Sequence, residues 1–139
     1  MGRMAEMRLP SPLRRALAQH ARDAWPEEAC GLLVGVGGAP REVVRLANVA
    51  GDPLRRYALD PLEYMRVEHA AERRGLGVAG VWHSHPDGGA EPSETDRRAA
   101  WPGWLYVIVG LQGEGQHCIR GWRLVANEFV EEELHAEQS

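Results

Sequence analysis

The chain has 139 residues, of which 44% are hydrophobic and 26% are charged, and its formal net charge is −4 at pH 7. This length fits one globular domain and excludes two ordinary ones, while the negative charge argues against a nucleic-acid partner. No run approaches the roughly 18 consecutive apolar residues of a membrane-spanning helix. The opening sequence MGRMAEMRLPSP lacks the apolar segment of a secretory signal. We therefore expect a cytoplasmic protein with no membrane partner.

A helix is predicted near the N-terminus, over the sequence SPLRRALAQHARDAWP. Ser11 is a good N-cap and Pro12 fits the first helical position. Apolar residues recur at helical spacing, which is typical of a helix with one buried face. This stripe consists of Leu13, Ala16, Leu17, His20, Ala21 and Ala24. Pro26 is expected to end the helix.

Two strands are predicted next, because the segments EEACGLLVGV and REVVRLANVA flank a Gly-Gly turn signal. The segment RRYALD, residues 55–60, is interpreted as a further short strand. A second helix follows, with Asp60 as its N-cap and Pro61 at its first position. Glu63 completes a capping-box pattern, and Gly75 suits the helix exit.

The remaining elements alternate between strands and one short helix. They are a strand LGVAGVWHSH, a short helix SETDRRAA, a strand WLYVIVGL and a strand HCIRGWRLV. Residues 131–139 form an acidic end that we expect to be frayed. The order α-β-β-β-α-β-α-β-β combines hairpins with crossover helices, and it predicts an α/β layered sandwich with a mixed sheet. We expect the chain, 1–139, to form a single domain.

The stretch HSHPDGGAEPSETD carries the strongest functional signal. Side chains alternate along a strand, so His83 and His85 point to the same face. The Gly- and Pro-containing loop that follows suits a chain reversal, after which a helical turn beginning at Ser93 carries Asp96 back toward the strand end. Two imidazoles and one carboxylate leave a fourth tetrahedral position for water, as catalytic zinc requires. Ser93 and Asp96 alone also fit an ordinary helix-capping pair.

Hydrolysis of an amide also needs a group that takes a proton from water and gives it to the departing amine. Glu27 and Glu28, between the first helix and the first strand, are the candidates. Acids after a proline are usually solvated, and spacing alone does not bring either of them to His83. The two cysteines, Cys30 and Cys118, lack the paired spacing of zinc-finger ligands.

The segments PEEACGLLVG and HSHPDGGAEPSETD together resemble the JAMM metalloproteases, the MPN+ branch of the MPN-domain family. The shared pattern is an upstream glutamate, then H-x-H, then ten residues, then an aspartate with a serine three positions before it. The resemblance covers residues 8–130, the expected core of the domain, and is closest to the small prokaryotic members. It implies an MPN-type layered sandwich whose mixed, curved β-sheet is flanked by helices.

The resemblance also implies a role for each residue of the site. One zinc ion would be bound by His83, His85 and Asp96. Glu28 would be the general base that activates water, and its preference over Glu27 rests on the family pattern alone. Ser93 would donate a hydrogen bond to the oxyanion of the tetrahedral intermediate.

The implied function is that of a zinc-dependent metallo-(iso)peptidase. It would hydrolyse an amide bond at the C-terminus of a ubiquitin-like or sulfur-carrier protein, which would be its partner. Two alternatives stay open, namely a zinc hydrolase of small amides or free peptides and a catalytically silent MPN scaffold. Substrate recognition would depend on exposed strand edges and on the loops near 48–58 and 86–92. The oligomeric state is open, with a homodimer among the alternatives.

Overall fold

The computed structural model describes residues 6–113 and 115–135. Its elements in chain order are β1 (Glu6–Arg8), α1 (Ser11–Ala24), β2 (Cys30–Val36), β3 (Ala39–Leu46), α2 (Pro61–Arg73), β4 (Gly77–His85), α3 (Glu94–Ala99), β5 (Leu105–Leu111), β6 (His117–Val125) and β7 (Glu128–His135). Among the described residues, the strands form one sheet in the order β1-β7-β6-β5-β4-β2-β3.

The sheet is mixed and curved. The pairs β1–β7 and β4–β5 are parallel, and the other neighbours are antiparallel. The edge strands β1 and β3 come close to each other, so that the sheet is nearly a barrel. This architecture confirms the expected layered α/β sandwich with a mixed, curved sheet and flanking helices.

Side chains alternate between the two faces of the sheet, and each face packs against one of the two long helices. Leu17 of α1 belongs to the cluster on one face, together with Trp82 of β4. Val67 of α2 packs on the other face, against the cluster that contains Val81. None of the helices in the described part of the chain has the length and apolar character needed to cross a bilayer.

Strand β4 presents its two histidines on the α2 side of the sheet and Ser84 on the α1 side. Ser84 is fully buried. Its Oγ accepts a hydrogen bond from the Ala29 N–H at 2.8 Å, and its backbone N–H donates to the Ala29 carbonyl at 2.9 Å. These two hydrogen bonds link Ala29, the residue before β2, to strand β4. They thereby bring Glu28, the residue before Ala29, toward the histidine side of the sheet.

The predicted hairpin and both long helices are confirmed, although the helix caps differ from expectation. In α1, Ser11 is the first helical residue, while Pro10 is the N-cap and makes no side-chain capping bond. In α2, the Asp60 side chain caps as predicted. The predicted capping box of α2 is wrong, because the Glu63 carboxylate instead accepts a hydrogen bond from the Ala47 N–H at 3.3 Å.

Residues 55–60 do not form the predicted strand. The Asn48 side chain donates to the Arg56 carbonyl at 3.1 Å and accepts from the Ala58 N–H at 3.1 Å. These two backbone groups would otherwise be available to a strand ladder. The segment is therefore part of a loop that closes on Asn48.

The acidic end predicted to fray from residue 131 is instead ordered as far as residue 135. Residues 131–135 belong to β7, which pairs with β6 and with the unpredicted strand β1. Glu132 is buried and accepts a hydrogen bond from Arg123 Nε at 2.6 Å, so its charge is paired inside the sheet. Residues 136–139 lie outside the described part of the chain.

The loop after β4 packs directly on β5 and β6. Gly110 has no side chain, and a Cβ there would lie 2.6 Å from the Gly88 carbonyl oxygen. The Gly88 N–H donates to the Leu111 carbonyl at 3.1 Å. The Trp122 indole N–H donates to the Ala90 carbonyl at 2.9 Å. The loop is therefore held at both of its ends.

We expect Gly110→Ala to displace this loop and to lower the free energy of unfolding by about 1–3 kcal/mol, as overpacking does. Gly77→Ala in β4 is the matched control, since a Cβ there meets nothing within 4 Å, and it should stay within about 0.5 kcal/mol of the parent. Urea denaturation measures both variants. Equal stability of the two would contradict close packing of the loop on Gly110.

Candidate metal centre

The side chains of His83, His85 and Asp96 converge at the end of β4 and the start of α3, and their candidate ligand atoms lie within 4.8 Å of one another. His83 Nε2 is 3.3 Å from His85 Nε2 and 3.2 Å from Asp96 Oδ1. His85 Nε2 is 3.0 Å from Asp96 Oδ2. Two ligands bound about 2.0 Å from one tetrahedral ion lie about 3.3 Å apart. The observed spacing therefore fits a single ion.

The tautomer of His85 is set by a backbone carbonyl. His85 Nδ1 lies 2.8 Å from the Gly89 oxygen, which can only accept, so Nδ1 carries the hydrogen. Neutral His85 then presents a lone pair at Nε2, facing the Asp96 carboxylate at 3.0 Å. Two acceptors at this distance require a proton or a cation between them. The donor set therefore fits a metal ion on its own chemistry.

The charges of Asp96 and His83 also suit a cation. Burial alone would raise the pKa of Asp96, but hydrogen bonds with both histidines and the Ser93 N–H hold this pKa well below its usual range. Complete burial lowers the pKa of His83, although Asp96 opposes that shift. Near neutral pH, Asp96 is therefore ionised and His83 is neutral, which are the states in which they bind metals.

Two opposing effects act on the pKa of His85. Burial would lower its pKa, but hydrogen bonds to Asp96 and to the Gly89 carbonyl outweigh burial, and the pKa is raised. A proton on His85 Nε2 occupies the place that a metal ion would take. Protons and metal ions therefore compete at this nitrogen.

The ring of His83 is oriented by stacking. The Tyr57 ring lies against it, with 4.3 Å between the centroids and 19° between the planes. His83 Nδ1 is buried and has no hydrogen-bond partner among the described residues. The tyrosine, which comes from the loop after β3, therefore takes the orienting role that a hydrogen bond to Nδ1 has in many metal sites.

Asp96 both faces the histidines and caps α3. Its Oδ2 accepts a hydrogen bond from the Ser93 N–H at 2.9 Å, and its own N–H donates to Ser93 Oγ at 3.0 Å. This is a capping box, so the ordinary capping interpretation of the pair is correct and coexists with the convergence on the histidines. Because Ser93 Oγ accepts in this bond, the hydroxyl hydrogen is left to donate elsewhere.

Glu28 lies beside this cluster. It is only 6% exposed, and its Oε1 has no hydrogen-bond partner among the described residues. Burial raises the pKa of Glu28 to about 7, with Asp96 adding to the shift and His85 opposing it. Glu27 is exposed. The structure thus brings Glu28, not Glu27, to the histidines, which spacing alone does not predict.

A cavity of about 750 Å³ opens at the cluster and joins the two loops expected to recognise a substrate. Its lining includes His85, Ser93 and Glu28, with Leu54 and Arg55 on the side of the loop after β3. The loop after β4 lines the opposite side. The part of the first loop in lining the cavity was expected. The stacking of its Tyr57 on His83 was not predicted, because residues 55–60 were interpreted as a short strand.

The sequence is similar to known proteins over most of its length. The family model for prokaryotic homologs of the JAB domain matches residues 10–125. The chain is 34% identical to the desampylase of Haloferax volcanii over 137 residues, covering 94% of this chain and 92% of that protein. It is 33% identical to the CysO-cysteine peptidase of Mycobacterium tuberculosis over 126 residues, covering 88% and 86%.

Solved structures show the same fold. A solution structure of a Desulfitobacterium hafniense protein matches with a TM-score of 0.86 and 29% identity, over 96% of this chain and 94% of that one. A JAB1/MPN domain protein from Archaeoglobus fulgidus matches with a TM-score of 0.59 and 22% identity, over 94% and 98%. In sequence and in fold, this chain belongs to the prokaryotic branch of the JAB domain family, which confirms its resemblance to the JAMM (MPN+) proteins.

Proposed function

We propose that this protein is a zinc-dependent peptidase that hydrolyses the amide bond at the C-terminus of a ubiquitin-like or sulfur-carrier protein. The observation that carries the proposal is the arrangement of three convergent ligand atoms and a buried glutamate at one cavity. The names of its relatives support the substrate class. They include a desampylase, a CysO-cysteine peptidase and, at 37% identity over 105 residues, a probable TtuB-protein conjugate cleaving protease of Thermus thermophilus.

His83, His85 and Asp96 would hold the zinc ion. Two imidazoles and one carboxylate are ligands that zinc accepts, and three protein ligands are typical of its catalytic sites. When bound, zinc supplies a water of lowered pKa and polarises a carbonyl oxygen.

Glu28 is the general base of the proposed reaction. It takes the proton from the attacking water and returns it to the departing amine, so one carboxyl group serves both steps. A pKa of about 7 suits this task, because such a group both accepts and releases a proton near neutral pH. The Ser93 hydroxyl donates a hydrogen bond to the carbonyl oxygen as negative charge develops there.

The alternatives differ from this proposal in specific ways. A silent scaffold has no use for a buried glutamate beside the histidines whose Oε1 has no hydrogen-bond partner among the described residues, and burying such a group is unfavourable without a function. A hydrolase of small amides shares the chemistry and differs only in its substrate. Assays with whole carrier proteins and with short tail peptides separate these two cases. A cytoplasmic location remains part of the proposal.

Replacing the base is expected to slow cleavage strongly without removing the metal. Glu28→Gln should bind zinc as the parent does and should lose about 10²–10⁴ in rate, the usual contribution of a general acid–base group. Mass spectrometry of tail-extended carrier proteins measures cleavage. Glu27→Gln is the matched control, and it should cleave at the parental rate because Glu27 is exposed. A Glu28→Gln protein that cleaves as fast as the parent would rule out Glu28 as the base.

The buried carboxyl group of Glu28 should also make the stability of the metal-free protein depend on pH. Its pKa is raised from 4.5 to about 7 in the folded chain, so its stabilising contribution is complete below about pH 4.5 and is lost as pH rises through about 7. The melting temperature of the parent, relative to Glu28→Gln, should therefore fall between pH 5 and pH 8. Thermal denaturation in a chelator measures this difference, and a constant difference would mean that Glu28 is not desolvated.

A further inference from the structure

Asn48, two residues after the end of β3, uses the whole hydrogen-bonding capacity of its side-chain amide. Nδ2 donates to the Glu28 carbonyl at 3.0 Å and to the Arg56 carbonyl at 3.1 Å. Oδ1 accepts from the Ala50 N–H at 3.0 Å and from the Ala58 N–H at 3.1 Å. Two donors and two lone pairs are all that an amide offers. Rotating the amide by 180° would oppose donor to donor, so the network fixes its orientation.

These bonds connect the loop at residues 48–58 to Glu28, which lines the cavity. The same loop accepts a hydrogen bond from the Glu28 N–H at the Pro53 carbonyl, at 2.8 Å. The backbone of Glu28 is therefore held on both sides by one loop, through Pro53 at its N–H and through Asn48 at its carbonyl. Tyr57, from the same loop, stacks on His83.

Glu28 itself has little else to fix its carboxyl group. Its Oε1 has no hydrogen-bond partner among the described residues, so the direction of the side chain depends on where the backbone stands. The hydrogen bonds between Ala29 and Ser84 fix the backbone after Glu28. The bonds from the loop fix Glu28 itself.

We propose that Asn48 is a positioning residue for the reaction. By bridging the Glu28 carbonyl to the loop, it holds the carboxyl group in reach of the water that attacks the substrate. This inference rests on the proposed function, because it assigns Glu28 as the base. A displacement of about 1 Å in a catalytic group can cost about 10²-fold in rate.

Two substitutions separate positioning of Glu28 from simple closure of the loop. Asn48→Ala removes all four hydrogen bonds. Asn48→Asp keeps the two acceptor bonds to Ala50 and Ala58, which close the loop, and loses the two donor bonds, including the one to Glu28. Asp60→Ala is the control for a general loss of stability, because the Asp60 side chain caps α2 by accepting a hydrogen bond from the Leu62 N–H, away from the bonds that hold Glu28.

Three measurements compare each variant with the parent. Zinc affinity is measured by competition with a chelator, and kcat and KM are measured with a tail-extended carrier protein. The exchange rate of the Glu28 amide hydrogen is measured by NMR in the metal-free protein. This amide reports directly on the bond to the Pro53 carbonyl and requires no activity.

We expect both Asn48 variants to lose at least about tenfold in kcat, with KM and zinc affinity within about threefold of the parent and with faster exchange of the Glu28 amide. Asp60→Ala should melt at a lower temperature and keep the parental kcat. Parental kcat in Asn48→Asp, unchanged exchange at Glu28 in both Asn48 variants, or an equal loss of kcat in Asp60→Ala would each overturn the inference. A parent that cleaves no carrier protein would reject the proposed function, whereas the exchange rates would still decide whether Asn48 holds Glu28.

Discussion

The site depends on a contact that is unfavourable unless a positive charge completes it. The Gly89 carbonyl fixes the hydrogen of His85 on Nδ1, so the lone pair of neutral His85 faces the ionised Asp96 carboxylate at 3.0 Å. Asp96 is held in this position because it also forms the capping box of α3 with Ser93. Strand β4 then adds His83 on the same face. A cation at the shared point would relieve the repulsion among these acceptors.

Two loops hold the candidate ligands and the proposed base from opposite sides. The loop after β4 rests on Gly110 and Trp122 and presents the carbonyl that orients His85. The loop after β3 presents the ring that stacks on His83, and it binds the backbone of the proposed base. Neither loop contains any of the three candidate ligands, His83, His85 and Asp96. Their common effect is to fix the directions of side chains whose polar atoms have few hydrogen-bond partners, as supporting shells do in metal sites.

How much of this site the sequence predicted depends on how far apart in the chain the contacting residues lie. The convergence of His83, His85 and Asp96 is encoded within fourteen consecutive residues by strand alternation and a helix cap. Local patterns therefore indicated it, and the resemblance to the JAMM proteins assigned the three ligands. The proximity of Glu28 to the histidines depends on the hydrogen bonds between Ala29 and β4 and on the one from Asn48 to the Glu28 carbonyl. Such long-range contacts leave no periodic trace in the sequence. The pairing of β7 with β1 was missed for the same reason, since the acidic residues of β7 find their partners only in the folded sheet.

The claim that one ion is bound by two imidazoles and one carboxylate is tested most directly by X-ray absorption of the zinc-loaded protein. We predict one zinc ion per chain with four nitrogen or oxygen ligands at about 2.0–2.1 Å and imidazole scattering from two histidines. The Asp96→Asn variant should lose zinc affinity. A sulfur ligand at about 2.3 Å, or binding unaffected by Asp96→Asn, would place the ion elsewhere in the molecule and rule out the site formed by His83, His85 and Asp96.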